Sequence, residues 1–505
     1  MSKLKKARFW FWLVALALVF ALPGASLADH PYQTPQSPYI TLTVDGSVTP
    51  IINSGDEYHD FTFQGLPDGI GIAPGETGGT VEVYVSHEET TVPFFGTADF
   101  QDASVSKLTL DVNSAAVVDA SVALPPEAGF LRFCSAFMAG PDQGFSNYTF
   151  FANEETSDVV DVPPDAPYGP DPAFTGEQRQ GGYSVALNAA TGEYTQVAGM
   201  GRLNHENTVA VPGGWNQFAM LTTDDTFSAT TSQLYMYLAN HESHIWQDKG
   251  SLWAFRVTRT NDNNPVDATD PFNGANDYLD IQPGDDWQGE FIRVPKEIAR
   301  GETELPPQDA LEQWSNENNV FQFVRLEDLT YDRNNNRVVY VADTGATRVM
   351  PDEQTGRMTR GDSSTGLADN GRIFKLVFNE NNPRKVDSFS VFADGDRPES
   401  SVFVGFTSPD NMDASPNSLM VQEDTDNAEI WRYDFSGQSW QVVASVNDLD
   451  GESSGIVDAS QWFGEGAWLL DVQAHGFEYV KQEQQGDVLR KLEAGQLMLM
   501  VIPGS

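Results

Sequence analysis

One unit of strand, acid and insertion recurs along this chain and constrains its fold more than any other feature. Tyr331-Asp-Arg-Asn-Asn-Asn-Arg-Val-Val-Tyr-Val-Ala-Asp343, followed by Gly371-Arg-Ile-Phe-Lys-Leu376, has the layout of a later stretch. That stretch is Met412-Asp-Ala-Ser-Pro-Asn-Ser-Leu-Met-Val-Gln-Glu-Asp424, followed by Ala428-Glu-Ile-Trp-Arg-Tyr433. Each reads as a polar turn, an apolar strand, an acidic residue, an insertion and a strand of type Ile-aromatic-basic. Looser copies join Asn216–Asp224 to Leu252–Val257, and Ala467–Asp471 to Gln496–Val501. Between them run short segments rich in β-branched and aromatic residues and bounded by Gly, Asn, Asp or Pro, such as Val81–Val85 and Leu108–Val112. Helix-like stretches are short, at Pro295–Arg300 and Gln308–Trp314. Antiparallel strand groups that recur with almost no helix predict an all-β chain folded as a β-propeller. At about 80 residues per unit, about six blades with long loop insertions are expected. A β-sandwich assembly is the alternative.

Composition narrows the function. Asp and Glu number 73 against 29 Lys and Arg, for a net charge of −44. So acidic a chain repels nucleic-acid backbones and anionic lipid surfaces. Part of that excess is a solvated acidic surface, so only acids placed by the repeat count as candidates below. A single cysteine excludes an internal disulfide. Lys3, Lys5, Lys6 and Arg8 precede the apolar run Phe9–Leu22, and Ser26-Leu-Ala28 offers small residues for cleavage before Asp29. Residues 1–28 therefore read as a general secretion signal without a twin-arginine pair, and predict a secreted or periplasmic protein with no stable membrane insertion after processing. Residues 29–80 are expected as an N-terminal extension packing on the propeller, and 81–505 as the propeller itself. Asp158–Gln180, rich in Pro, Asp and Gly, reads as one long surface loop.

If each repeat strand lines the channel, its terminal acid lies near the axis. Glu88, Asp343, Glu423, Asp424 and Asp471 all end or follow such strands. Carboxylates converging on one channel cannot all stay ionised without cations, and hard oxygen donors select calcium or magnesium. Asn204-His-Glu-Asn207, Ser408-Pro-Asp-Asn-Met-Asp413 and Arg325-Leu-Glu-Asp-Leu329 add Glu206, Asp410, Asn411, Glu327 and Asp328 to the polar turns. In Ser86-His-Glu88 the acid and its neighbouring histidine point to opposite faces, so the acid is the expected ligand. Glu242 sits in an insertion and reads as surface. Cys134, apolar-flanked, is either a buried inert thiol or a thiolate ligand to a softer metal such as iron. Asp332-x-Asn334-x-Asn336 mimics a calcium loop, but Arg337 replaces the needed Gly, so it reads as a hairpin turn. No nucleophile elbow, phosphate-cradling Gly-rich loop or metalloprotease helix is present.

Eight short motifs in order resemble the PhoX-type alkaline phosphatases and their wider relatives. They are Val85-Ser-His-Glu88, Arg132-Phe-Cys-Ser135, Asn153-Glu-Glu155, Leu203-Asn-His-Glu-Asn207, Leu326-Glu-Asp328, Pro409-Asp-Asn411, Gln422-Glu-Asp424 and Leu470-Asp-Val-Gln-Ala-His475. The resemblance implies a six-bladed propeller and an iron pair with a cysteine ligand, together with calcium ions (Ca2+ and Fe3+). It also implies hydrolysis of small phosphorylated substrates outside the cytoplasm. Glu88, Cys134 and Glu206 would lie on the iron side. Glu154 or Glu155, Glu327, Asp410, Asn411 and Glu423 would lie on the calcium side, with Asp424 beside them. Arg202 or Arg325 would clamp a phosphoryl oxygen. The missing twin-arginine pair departs from the phosphatase pattern. A non-catalytic calcium-binding propeller and a calcium-dependent hydrolase of lactones or esters are the other readings.

Overall fold

The computed structural model describes residues 30–89, 102–164, 166–226, 231–361, 363–426, 428–447, 451–478 and 492–505. The expected secretion signal lies outside them. Antiparallel strands dominate, and the two helix-like stretches appear as Lys296–Ala299 and Pro307–Glu317. Burial follows position in the sheets. Val338–Asp343, inside a sheet, is buried at every residue, whereas Val117–Leu124, at a sheet edge, mixes buried with exposed positions.

The strands build a β-propeller. Six strands pack side by side around its axis: Pro67–Pro74, Phe133–Ala139, His205–Ala210, Leu326–Tyr331, Pro409–Ala414 and Gly451–Asp458. Each touches the next, and the last returns to the first. Six separate blades were expected from the repeat length. Four of the sheets stand separately as blades, and a ten-stranded sheet carries two inner strands. Trp287–Arg293 causes the fusion by pairing with Ser251–Thr260 on one side and Asn382–Asp394 on the other, which joins the outer edges of two units.

Of the expected N-terminal extension, residues 30–80 are described, and they do not lie on a finished propeller. Ile40–Leu42 adds an outer strand beside Ser439–Val446, and Ser47–Asn53 pairs with Leu492–Val501. Pro67–Pro74 is itself an inner strand. The N-terminal chain thus completes the last blade and begins the first, which closes the ring. Neighbouring inner strands come so close that a Cβ on Gly69 would stand 2.2 Å from the Ala136 backbone nitrogen, and one on Gly455 2.2 Å from the Asp68 carbonyl oxygen. Asp158–Gln180 is also more than a loop. Val159–Asp161 pairs with Gln178–Gln180, and the segment buries Asp171 and Arg179.

Apolar clusters fill the wedges between sheets. In the fused sheet Phe389 is fully buried and meets the rings of Phe255, Phe321, Phe323 and Phe374 at centroid distances of 5.0–6.1 Å. Phe389→Ala is expected to lower stability by about 3–5 kcal/mol, read from denaturant unfolding.

Candidate metal centre and active site

One irregularity recurs in all of these inner strands. Opposite each, the neighbouring strand of the same blade is one residue short. Pro67 pairs with His87 but Ile70 with Val85, and Phe133 pairs with Glu154 but Ala136 with Ala152. The same shift falls between His205 and Thr208, Leu326 and Leu329, Pro409 and Met412, and Ser453 and Ile456. Such a bulge sets two residues against one and re-aims the side chains. The bulged pairs are Asp68–Gly69, Cys134–Ser135, Glu206–Asn207, Glu327–Asp328, Asp410–Asn411 and Ser454–Gly455.

The first member of five of these pairs opens into one cavity of about 170 Å³ near the starts of the inner strands, and the sixth strand contributes Glu452. Glu88, Glu155, Asp225, Asp424, Asn411, Gln473, Arg132 and Arg325 complete the polar wall. Ligand atoms of Asp68, Glu88 and Cys134 lie within 4.8 Å of one another. Those of Cys134, Glu155 and Glu206 do so too, as do those of Glu206, Glu327 and Asp410. Cys134 and Glu206 are shared, so the three groups form one continuous cluster.

The electrostatics are severe. Nine carboxylates face two guanidinium groups in this cavity. Burial, and then repulsion from Asp410 and Glu155, pushes Glu206 well above the usual carboxylate range. Burial and the Asp225 charge do the same to Glu327, burial and Asp424 to Asp410, and burial and Asp471 to Asp68. The Cys134 thiol is pushed up by burial and by Asp68. Arg132 answers part of this charge by pairing with Glu88 and lying 3.5 Å from Glu155. Arg325 donates to Asp225 at 2.7 and 2.9 Å and stands 3.1 Å from Glu327. Gln473 bridges Asp68 and Glu88, donating to each at 3.1 Å. Among the described residues, buried oxygens of Asp68 (Oδ1) and Glu206 (Oε1) still have no hydrogen-bond donor. Unsatisfied buried oxygens beside a thiol are the donor set that fits polyvalent cations, with oxygen for calcium and sulfur for iron.

Eight of the expected ligands therefore meet: Glu88, Cys134, Glu155, Glu206, Glu327, Asp410, Asn411 and Asp424 all line the cavity. Three other site expectations are corrected. Glu154 is fully buried away from the cavity, ion-paired with Arg179 and accepting the Leu131 N–H at 2.9 Å. Glu423 accepts N–H bonds from Thr407, Glu429 and the Trp431 indole at 2.8–3.1 Å. Arg202, with its side chain 1% exposed, grips Asp171 and lies 3.8 Å from the Tyr183 ring. Arg325 does reach the cavity, with its side chain 25% exposed.

Acids that are the last residue of a second strand fail as ligands for a shared reason, whereas Glu88 and Asp424, one residue beyond, reach the cavity. The repeat marks the second strand of each blade, so its last residue lies one strand out from the channel. There it meets the loop leading to the inner strand, whose N–H groups need partners. Glu154 takes Leu131, Asp343 takes Val324 and Arg325, and Glu423 takes Thr407. Asp471 also ends up buried outside the cavity wall. Glu242 stays clear of the cavity, as expected, and accepts the Ser146 N–H. Sequence reasoning missed Asp68, Asp225, Glu452, Arg132 and Gln473. The signal for Asp68 was present in Pro67-Asp-Gly-Ile70, which matches Pro409-Asp-Asn-Met412 as an acid and a small polar or Gly residue opening an apolar strand.

The sequence model of the family Alkaline phosphatase PhoX matches residues 147–454, more than half of the chain. The chain belongs to the PhoX alkaline phosphatase family. It is a phosphoric ester hydrolase. Among solved structures, Pseudomonas fluorescens PhoX in complex with vanadate, a transition state analogue, is similar at a TM-score of 0.60 and 13% identity. The match covers 93% of this chain and 97% of that one, and the likeness is one of fold. Kuenenia stuttgartiensis hydrazine synthase follows at a TM-score of 0.34 and 9% identity, over 80% of each chain. The GH93 α-L-arabinofuranosidase of Fusarium graminearum follows at 0.37 and 7%, over 86% and 92%. Both are too distant to carry an argument. None of the curated protein sequences matches. The family match takes in Glu155, Glu206, Glu327, Asp410 and Asp424, whereas Asp68, Glu88 and Cys134 precede it. Among the described residues, no helix is long and apolar enough to cross a membrane.

Two measurements separate structural from site acids. Glu154→Gln strands the buried Arg179 charge and is expected to cost about 3–5 kcal/mol. Asp410→Asn removes one of several repelling charges, so the chelator-treated protein should be at least as stable as wild type in denaturant. The second measurement is a pH series. The raised carboxylates bind more protons folded than unfolded, so cation-free stability falls as pH climbs from the unfolded carboxylate range through their folded values. His87 and His205, held by burial at about 4, oppose that trend only up to about pH 6.5. The thermal midpoint of cation-free protein should therefore drop from pH 7 upward, and added calcium should flatten the slope.

Proposed function

We propose that this phosphatase hydrolyses small phosphate esters at a cluster of calcium and iron ions held in the cavity near the starts of the inner strands. The observation that carries this reading is the chain of three ligand groups linked through Cys134 and Glu206. Glu155, Glu206, Glu327, Asp410 and Asn411 would hold calcium through oxygen. Asp68, Glu88 and the Cys134 thiolate would hold iron. Cations there supply the Lewis acidity that an anionic phosphoryl group needs in so acidic a pocket.

The chain's own residues do the remaining work. Arg325 and Arg132, with side chains 25% and 21% exposed, are the cavity's only cationic side chains among the described residues. They are placed to hydrogen-bond nonbridging phosphoryl oxygens. Asp225 holds the Arg325 guanidinium with two bonds and so orients it toward the cavity. The small volume admits a phosphoryl group and leaves the rest of an ester outside, which favours terminal phosphate esters of varied leaving group. Export through the general secretion route belongs to the same reading and rests on residues 1–28.

Metal analysis combined with hydrolysis of p-nitrophenyl phosphate tests it. Activity should vanish on calcium chelation and return with calcium. Glu206→Gln, which removes the ligand shared by two groups, should lower kcat at least 100-fold. Cys134→Ser should lose iron while still binding calcium. Metal-replete protein that hydrolyses no phosphate ester would defeat the proposal.

A further inference from the structure

Glu206, Glu327 and Asp410 come from three different inner strands, and among the described residues neighbouring inner strands share no ladder of backbone hydrogen bonds with one another. Something else must fix their spacing. Directly behind them lies a layer made by the second members of the bulged pairs. In that layer Asn411 Nδ2 donates to Ser135 Oγ at 2.7 Å, and Asn207 Nδ2 donates to Asp328 Oδ1 at 2.6 Å. Beyond it the channel opens again into a second cavity of about 500 Å³, which Asn207, Asp328 and Met412 line.

Asp328 has the most connected position in this layer. It is 4% exposed. Its Oδ1 accepts from Asn207 Nδ2 and from the Leu329 N–H at 2.5 Å, and its Oδ2 accepts from the Met412 N–H at 2.9 Å. The residues it joins are not arbitrary. Asn207 directly follows Glu206, Asp328 directly follows Glu327, and Met412 comes two residues after Asp410. One carboxylate therefore ties together the three strands that present all members of a ligand group, two through backbone N–H groups and one through the Asn207 side chain.

We infer that Asp328 is a positioning residue that sets the mutual spacing of Glu206, Glu327 and Asp410 for a calcium ion. The inference rests on the metal reading proposed above. Three donors converge on the carboxylate: two are backbone N–H groups, and the third, Asn207 Nδ2, is held in that orientation because Asn207 Oδ1 accepts the Thr208 N–H at 2.6 Å. An amide at position 328 would oppose one donor with another and force one of the three strands to shift. Outer residues that orient metal ligands in this way change affinity about 10–100-fold when altered.

The test titrates calcium alone into chelator-stripped full-length protein, by calorimetry and by the rise in thermal midpoint. Asp328→Asn is expected to weaken calcium binding at least 10-fold. The exchange Asn207→Asp with Asp328→Asn restores a donor–acceptor pair between the two strands and should recover a large part of the loss. A merely structural role would lower the calcium-free midpoint without that recovery of affinity. The inference is overturned if Asp328→Asn binds calcium within twofold of wild type, or if the exchange binds no better than the single variant. Should Asp328→Asn fail to fold, Asn207→Ser replaces it, with a 10-fold loss supporting the inference and an affinity within twofold of wild type overturning it. Wild-type protein that binds no calcium would instead sink the metal reading itself.

Discussion

Like charges crowded into one small cavity are the constraint on which this molecule turns. Among the described residues, nine carboxylates converge where two guanidinium groups answer them. A pocket of that kind raises the proton affinity of its acids, collects cations, or does both. The surrounding fold must hold such groups together against their repulsion. The closed ring of inner strands does so, because no strand can move outward without opening its contacts to the neighbours on both sides.

The bulges convert that ring into a site. A regular strand alternates its side chains, so one residue in two would face the channel at a fixed pitch. An extra residue near the start of each inner strand breaks the alternation and re-aims a pair of side chains. The first member of the pair becomes a candidate ligand. The second becomes part of the layer below, where Ser135, Asn207, Asp328 and Asn411 bond across blades. In the first and last blades the second member is Gly69 or Gly455, where the neighbouring backbone leaves no room for a Cβ. One local device thus provides ligands, a floor beneath them and close packing between neighbouring strands.

A second device lies one strand outward. Glu154, Asp343 and Glu423 end the second strands of their blades and accept N–H groups from the loops that lead into the inner strands. His87 occupies the corresponding place in the first blade and bonds the Gly65 carbonyl instead. These buried groups hold the approach to each bulge in place. The acids that end these second strands are therefore supports, and the cavity acids come from the inner strand before or from the residue just beyond, as with Glu88, Glu155, Asp225 and Asp424. Arg202 and Arg179 follow the same logic, each buried against a carboxylate to pin the Val159–Gln180 hairpin.

The sequence by itself determined the class of fold, since short β-branched and aromatic runs between turn residues cannot bury their faces except in stacked sheets. It also determined which residue types were available as ligands, and the order of eight short motifs pointed to Glu88, Cys134, Glu206, Glu327, Asp410 and either Glu154 or Glu155. Only the tertiary structure decided between neighbours of identical chemistry. Glu154 and Glu155 differ by one position, yet one meets Arg179 and the other faces the cavity. Period-two alternation reverses a side chain's direction at every step, and a bulge, which leaves no mark in composition, resets it. Ring closure likewise brought Asp68, Glu452 and Gln473 together from opposite ends of the chain, because spatial adjacency in a closed ring has no counterpart in sequence distance.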